Sequence, residues 1–290
     1  MGLAYLRLVR IEHGVLTSLI VLASYIIVGG RNSLAMTLLF LSSLLTEAFL
    51  FATNDIYNVE EDRVNRPDAP LVRGDASLRS AWVLSLVSVV LAVIFNVIGV
   101  VLGILMPLSL VILILAIMLG FAYNYGLKRT LLVNNTLVSI TSSLTFLYGL
   151  YAVKVTLPTL DLPYLLFITS FLATMGREFI KGVLDVPGDI KVGVRTVANT
   201  HGVKVAVVMA VVFVLLAVAV SPLIILQALS EAFGIVLSVG VVITDALLMY
   251  ISIMVLVRSN YAGRFRVIAL GAMAVTIIAY LLSALVAVLT

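Results

Sequence analysis

The chain has 290 residues, 63% of them hydrophobic and only 11% charged, where an ordinary soluble domain is about half apolar and about a quarter charged. That balance excludes a water-soluble globular fold and describes an all-α integral membrane protein. The net charge of +4 lies in segments bordering apolar runs, with no nucleic-acid module among them, so it speaks for orientation and for an anionic lipid surface or substrate rather than for nucleic acid.

A bilayer core about 30 Å thick takes roughly 20 apolar residues per helix. Taken in chain order, the apolar runs predict nine spans, near 14–30, 34–52, 79–103, 106–124, 132–153, 163–182, 203–227, 233–257 and 265–289. Gly29 to Asn32 and Gly103 to Pro107 read as tight hairpins. Arg7 and Arg10 precede an apolar run that continues into a second span, which is not the pattern of a cleaved signal, so the N-terminus is expected to be retained.

With the N-terminus inside and nine crossings, the inner segments are 1–13, 53–78, 125–131, 183–202 and 258–264. Of the 18 Lys and Arg residues, only Arg31 and Lys154 then fall outside, which is the positive-inside asymmetry. The expectation is a single domain over residues 1–290 in the cell membrane. Its nine helices bundle around a central cavity open to the cytoplasmic side, where the N-terminus and two long loops, 53–78 and 183–202, also lie. The oligomeric state is left open.

Those loops carry the chemistry. On a helix continuing out of the second span, Asn54, Asn58 and Asp62 recur at i, i+4 and i+8 and share one face, with Glu47 deeper on the same stripe. Asp55, Glu60 and Glu61 crowd further charge around it. A solvated acidic loop is the bland reading of such a run, and Mg²⁺ bridging carboxylates to a substrate phosphate is the chemical one. A second cluster favours the chemistry. Arg177, Glu178 and Lys181 close the sixth span, where ionisable groups are costly and suggest a function, and Asp185 and Asp189 follow. Pro187 interrupts a regular helix, so Asp189 is expected on a turn with Gly188. Arg66, Lys128 and Lys191 flank the two clusters and suit a diphosphate.

Asn54-Asp55-x-x-Asn58-x-x-x-Asp62, followed by Arg63-Val64-Asn65-Arg66-Pro67, resembles the NDxxDxxxD signature of the intramembrane UbiA prenyltransferases. Asp185-x-x-Gly188-Asp189-x-x-x-Gly193-x-Arg195-Thr196 resembles their second aspartate motif, and Tyr123-Asn124-Tyr125-Gly126-Leu127-Lys128-Arg129 a third stretch. The chain departs from the signature at Asn58, where the family has aspartate. An amide coordinates through its carbonyl oxygen but adds no charge. Either Mg²⁺ rests mainly on Asp62, Asp185 and Asp189, or Asp55, Glu60 and Glu61 compensate, or the site is weakened.

The resemblance implies a Mg²⁺ cofactor held by Asn54, Asn58, Asp62, Asp185 and Asp189 against a polyprenyl diphosphate. Arg66, Lys128, Lys181 and Lys191 would then neutralise the leaving pyrophosphate. Tyr123 would face the allylic cation or serve as an interfacial belt residue. Glu47 and Glu178 are candidate bases for an anionic, hydroxyl-bearing acceptor, Glu178 having a second reading as ion-pair partner of Arg177 or Lys181. Arg177-Glu178-x-x-Lys181 resembles the archaeal digeranylgeranylglyceryl phosphate synthase branch, whose acceptor is geranylgeranylglyceryl phosphate. A 4-hydroxybenzoate-type aromatic acceptor is the alternative within the family, and a secondary transporter or lipid carrier the alternative outside it.

The remaining polar groups carry less. Asp245 reads as a packing residue between helices, and His13 and His201 are too isolated to pair on a metal. With no cysteine, disulfides and thiolate chemistry are excluded. No P-loop, GxSxG elbow or HExxH occurs.

Overall fold

The computed structural model describes residues 2–154 and 161–289, with the side chains of residues 2, 64, 65, 191 and 192 outside that description. A short helix α1 (Gly2–Leu8) ends where Arg10 takes a left-handed backbone (φ 46°), and α2 (Ile11–Ile27) starts in a new direction. The first expected hairpin is present. Gly29 sits at φ 92°, and the Asn32 side chain accepts from the Ala35 amide at 2.9 Å to cap α3 (Ser33–Tyr57).

After α3 come two short helices, α4 (Val59–Asn65) and α5 (Pro70–Arg73), before a reciprocal Ser77–Ser80 cap opens α6 (Leu78–Val101). Gly103 at φ 68° and Pro107 in the first turn of α7 (Pro107–Tyr125) make the second hairpin. Then follow α8 (Val133–Leu150), α9 (Leu162–Leu184), α10 (Val186–Val192), α11 (Val197–Thr200), α12 (Val203–Ala228), α13 (Gly234–Val257) and α14 (Ala262–Leu289).

Among the described residues, nine helices reach 17 residues or more, and each overlies one predicted span. Six of them, α3, α6, α7, α12, α13 and the last, are long and apolar enough to cross a membrane. The chain is a multi-pass membrane protein. Of the other three, α2 is short, while α8 and α9 carry more polar side chains. Burial explains the latter: α9 has no exposed residue from 162 to 183, being enclosed by α2, α8, α12 and α14. A helix that does not face lipid need not be uniformly apolar. The outer helices show the reverse, exposing Val83, Leu86 and Val90 on α6 and Val239, Val242 and Ile253 on α13.

The bundle closes on small residues. A Cβ on Gly149 of α8 would lie 2.2 Å from the Val21 carbonyl of α2, and one on Gly176 of α9 would lie 2.8 Å from the Ala210 carbonyl of α12. Backbones approach this closely only where no side chain intervenes, the usual way helices associate in lipid.

Candidate active site

Both motif segments use one device, a long helix that stops and a seven-residue helix that starts again. The helix expected to continue from α3 through Asp62 is broken at Asn58 (φ −106°, ψ 8°), which ends α3 and begins α4. Glu60, Glu61 and Asp62 then fall in the first turn of α4, where the amide dipoles favour acids. Hydrogen bonds still bridge the break, from the Asn58 amide to the Asn54 carbonyl at 3.1 Å and from the Asp62 amide to the Asn58 carbonyl at 2.7 Å.

The second break is at Asp185, the residue between α9 and α10. Asp189 lies not on a turn, as expected, but in α10, its amide donating to the Asp185 carbonyl at 2.9 Å. Pro187 falls in the first turn of α10, where a missing amide hydrogen costs nothing, so the proline starts a helix here instead of ending one. Gly193 at φ 71° closes it.

Residues of both α4 and α10 line a cleft of about 620 Å³ at one end of the bundle. Of the expected residues, Asp62, Arg66, Tyr123, Lys128, Glu178, Lys181, Asp185 and Asp189 line it together. Glu61, Asn134, Asn135, Thr196 and Arg266 line it as well. Asn134, Asn135 and Arg266 stand at the starts of α8 and α14 outside either acidic cluster, and no local sequence pattern singles them out.

Three expected residues are not among those lining the cleft. Asn54 donates to Asn124 Oδ1 at 2.8 Å, and Asn124 donates in turn to the Leu50 carbonyl at 2.8 Å and Thr53 Oγ1 at 2.9 Å, so this ladder ties α3 to α7. Asn58 accepts from the Lys128 ammonium. Glu47 lies deeper, accepting from Thr17 Oγ1 at 3.2 Å in a separate cavity of about 40 Å³ that includes Thr46 and Tyr148. The Lys191 side chain lies outside the described residues.

Charge in the cleft is mixed and incompletely paired. Lys128 meets Glu61 at 2.6 Å. Glu178 sits between Arg177 at 3.1 Å and Lys181 at 3.6 Å, so its ion-pair reading holds. Arg66 spans Asp62 at 3.7 Å and Asp55 at 3.4 Å. Asp55 is only 2% exposed and also takes Arg10 at 3.0 Å, whose guanidinium lies 4.5 Å above the Phe51 ring. Asp55 thus works beneath the cleft, anchoring two arginines. Asp185 and Asp189 have no ion-pair partner among the described residues.

That imbalance is visible in the acids. Burial pushes the Asp189 carboxyl up to about 6, with neighbouring Asp185 adding to the shift and Lys181 opposing it. Burial likewise holds Asp62 above the ordinary carboxylate range, and Arg66 opposes this while Asp55 and Glu61 add to it. Among the described residues, no three acidic or histidine side chains converge closely enough to hold an ion alone. Mg²⁺ does not ask for that, since it keeps waters and uses one or two carboxylates together with phosphate oxygens. Asp62, Asp185 and Asp189 line the same cleft, the last two without a cation partner among the described residues, and their hard oxygens suit ions held by one or two carboxylates each.

The chain is similar to known proteins both in sequence and in fold. The model of the UbiA prenyltransferase family matches residues 15–268. A digeranylgeranylglyceryl phosphate synthase from Sulfolobus acidocaldarius is 30% identical over 87% of each chain. One from Archaeoglobus fulgidus is 34% identical over 85% of this chain and 82% of its own. A solved structure described as digeranylgeranylglyceryl phosphate synthase in membranes superposes with a TM-score of 0.80 at 25% identity, covering 97% of both chains. A UbiA homologue from Archaeoglobus fulgidus bound to DMAPP and Mg²⁺ shares the fold, with a TM-score of 0.68 at 18% identity over 95% of this chain and 98% of its own.

Proposed function

Since the chain belongs to the UbiA prenyltransferase family, we propose that it transfers a geranylgeranyl group from its diphosphate to the free hydroxyl of geranylgeranylglyceryl phosphate, with Mg²⁺ as cofactor. The observation that carries this reading is the convergence of Asp62 with Asp185 and Asp189, from motifs more than a hundred residues apart, on one cleft that also holds Arg66, Lys128, Lys181 and Arg266.

Asp62, Asp185 and Asp189 would supply the carboxylates for Mg²⁺, one or two to an ion, and the ion would contribute positive charge against the diphosphate oxygens. The four cations bind the phosphate oxygens and take up the charge that grows on them as the carbon–oxygen bond breaks. Lys191, next after α10's Ile190, joins them in this reading. Tyr123, at the end of α7 on the cleft wall, offers a ring face to the allylic carbon. The apolar helices receive the isoprenoid chain and keep water from the cation. The glycerol oxygen then bonds to the allylic carbon. Both Glu178 oxygens are engaged, one by Arg177 and one by Lys181, which supports a positioning role for Glu178 and loss of the hydroxyl proton with the pyrophosphate.

In the same reading all nine long helices cross the cell membrane, with α2, α8 and α9 crossing inside the bundle, and the cleft faces the cytoplasm. The basic residues bordering the motif loops support that orientation. The relatives' shared name favours the glycerol phosphate acceptor over an aromatic one.

The test is Mg²⁺-dependent pyrophosphate release from geranylgeranyl diphosphate by purified, detergent-solubilised protein, offered geranylgeranylglyceryl phosphate or 4-hydroxybenzoate, with Asp62→Ala as control. Prenylated glycerol phosphate, lost in the variant, is the expected product. Prenylated benzoate would move the protein to the aromatic branch, and folded protein that releases nothing with either acceptor would overturn the reading.

A further inference from the structure

Lys128 is held by two neighbours of different charge. Its ammonium donates to Glu61 Oε2 at 2.6 Å and to the Asn58 carbonyl oxygen, and the side chain is only 12% exposed. Both partners belong to the break between α3 and α4, whereas Lys128 comes from the turn after α7. The pair therefore ties two separate parts of the cleft wall together.

We infer that Glu61 is a positioning residue that couples binding of the divalent cation to binding of the diphosphate, with Lys128 as the partner they exchange. The inference rests on the function proposed above and assigns Glu61 a part that the motif residues do not have.

An ammonium has three hydrogens, and Glu61 and Asn58 occupy two of them among the described residues. A diphosphate entering the cleft competes for Lys128. If it succeeds alone, Glu61 is left as a carboxylate without its cation beside Asp62 and Asp189, both of which already feel its charge. A divalent cation removes that penalty by giving Glu61 and its acidic neighbours a new counter-charge. The exchange also runs in the other direction, because a cation near Glu61 loosens its hold on Lys128 and frees the ammonium for phosphate. Each ligand thus favours the other, and such a coupling is reciprocal by thermodynamic necessity.

Asn58 completes the arrangement. A neutral amide steadies the ammonium without adding a second full attraction, so Lys128 can leave. One carboxylate at Glu61, instead of one at each position, sets how firmly the lysine is parked.

The experiment measures the affinity for geranylgeranyl diphosphate by calorimetry in detergent, without acceptor, with and without Mg²⁺. Cation binding to free diphosphate in solution is common to all variants and cancels in their comparison. In the unsubstituted protein Mg²⁺ should tighten binding. In Glu61→Gln the Mg²⁺-free affinity should be no weaker than before, because Lys128 is released, while the tightening by Mg²⁺ should shrink by about tenfold, within the ordinary range of coupling between two ligands. Glu60→Gln, whose carboxylate is 80% exposed and pairs only with Arg63 among the described residues, should behave as the unsubstituted protein. Asn58→Asp combined with Glu61→Gln should recover the coupling, since it returns the charge to Lys128's other partner. Equal weakening with and without Mg²⁺ in Glu61→Gln, the result of a merely structural role, would overturn the inference, as would coupling that does not change. Unsubstituted protein that binds no diphosphate under either condition would overturn the proposed function and the inference with it.

Discussion

Arg10 Nη2 lies 3.0 Å from Asp55 Oδ1, joining the start of the first long helix to the end of the second directly beneath the cleft. The other Asp55 oxygen is buried without a hydrogen-bond partner, so the residue depends on its two arginines for compensation. Among the described residues, removing Arg10 leaves a buried carboxylate held only by Arg66 at 3.4 Å. Arg10→Ala should therefore lower stability by about 1–3 kcal/mol, a value reduced from that of a fully buried pair because Arg10 is partly exposed. Thermal unfolding in detergent measures it, and Arg10→Lys should recover part of the loss.

Asp189→Asn and Asp62→Asn keep the shape of the side chain and remove its charge. Each should lower kcat/KM for Mg²⁺-dependent prenyl transfer by roughly a hundredfold or more, the usual scale for removing one strong electrostatic contact from a transition state. The melting temperature should not fall in step. A variant that loses activity only in proportion to folded protein would argue against a role in the chemistry.

The raised Asp189 carboxyl gives a pH signature. A carboxyl raised in the fold binds its proton more readily there than in the unfolded chain, so its contribution to stability is complete below about pH 4 and is lost as pH rises through about 6. Without divalent cation, the melting temperature should fall over that interval in the unsubstituted protein and fall less in Asp189→Asn. Mg²⁺ favours the ionised form, so its affinity should drop as pH is lowered through the same range. A pH response identical in both proteins would exclude Asp189 as its source.

Pro187 keeps α10 distinct from α9. With Pro187→Ala the chain regains an amide that lets the longer helix continue past Asp185 and carry Asp189 out of register. The expected result is near-normal stability with kcat/KM lowered roughly ten- to a hundredfold, since small displacements of a positioned group cost that much. Steady-state kinetics beside a thermal melt separate the two effects.

Gly149→Ala places a Cβ 2.2 Å from the Val21 carbonyl at the crossing of α2 and α8. A backbone contact that close cannot be relieved by turning a side chain. The substitution should cost about 1–3 kcal/mol, read as a lower melting temperature with kinetics per folded molecule largely preserved.

Long-range order was legible where hydropathy alone determines it. Each of the nine apolar runs overlies one long helix, because the period and length of an apolar segment in lipid leave few alternatives. The short breaks were less legible. Asn58 has no strong helix-breaking chemistry, so the face shared by Asn54, Asn58 and Asp62 looked continuous. Pro187 does break a helix, but whether it ends one or begins one depends on Asp185 before it. Glu47 shares the stripe of the motif residues yet sits with Thr17 and Tyr148, because depth along a helix separates side chains as effectively as angle. Asn134, Asn135 and Arg266 belong to the cleft through the packing of α8 and α14, a relation that exists only once the bundle is assembled.

The enclosure of α9 also bears on how the protein is made. During N-to-C synthesis this helix is made before α12, α13 and α14 exist to cover it, carrying Arg177, Glu178 and Lys181 near its end. Charged groups facing hydrocarbon are costly, so the segment gains its stable place only when its later neighbours arrive. The ionisable groups of α9 that line the cleft thus meet their full surroundings only when the last third of the chain has been added.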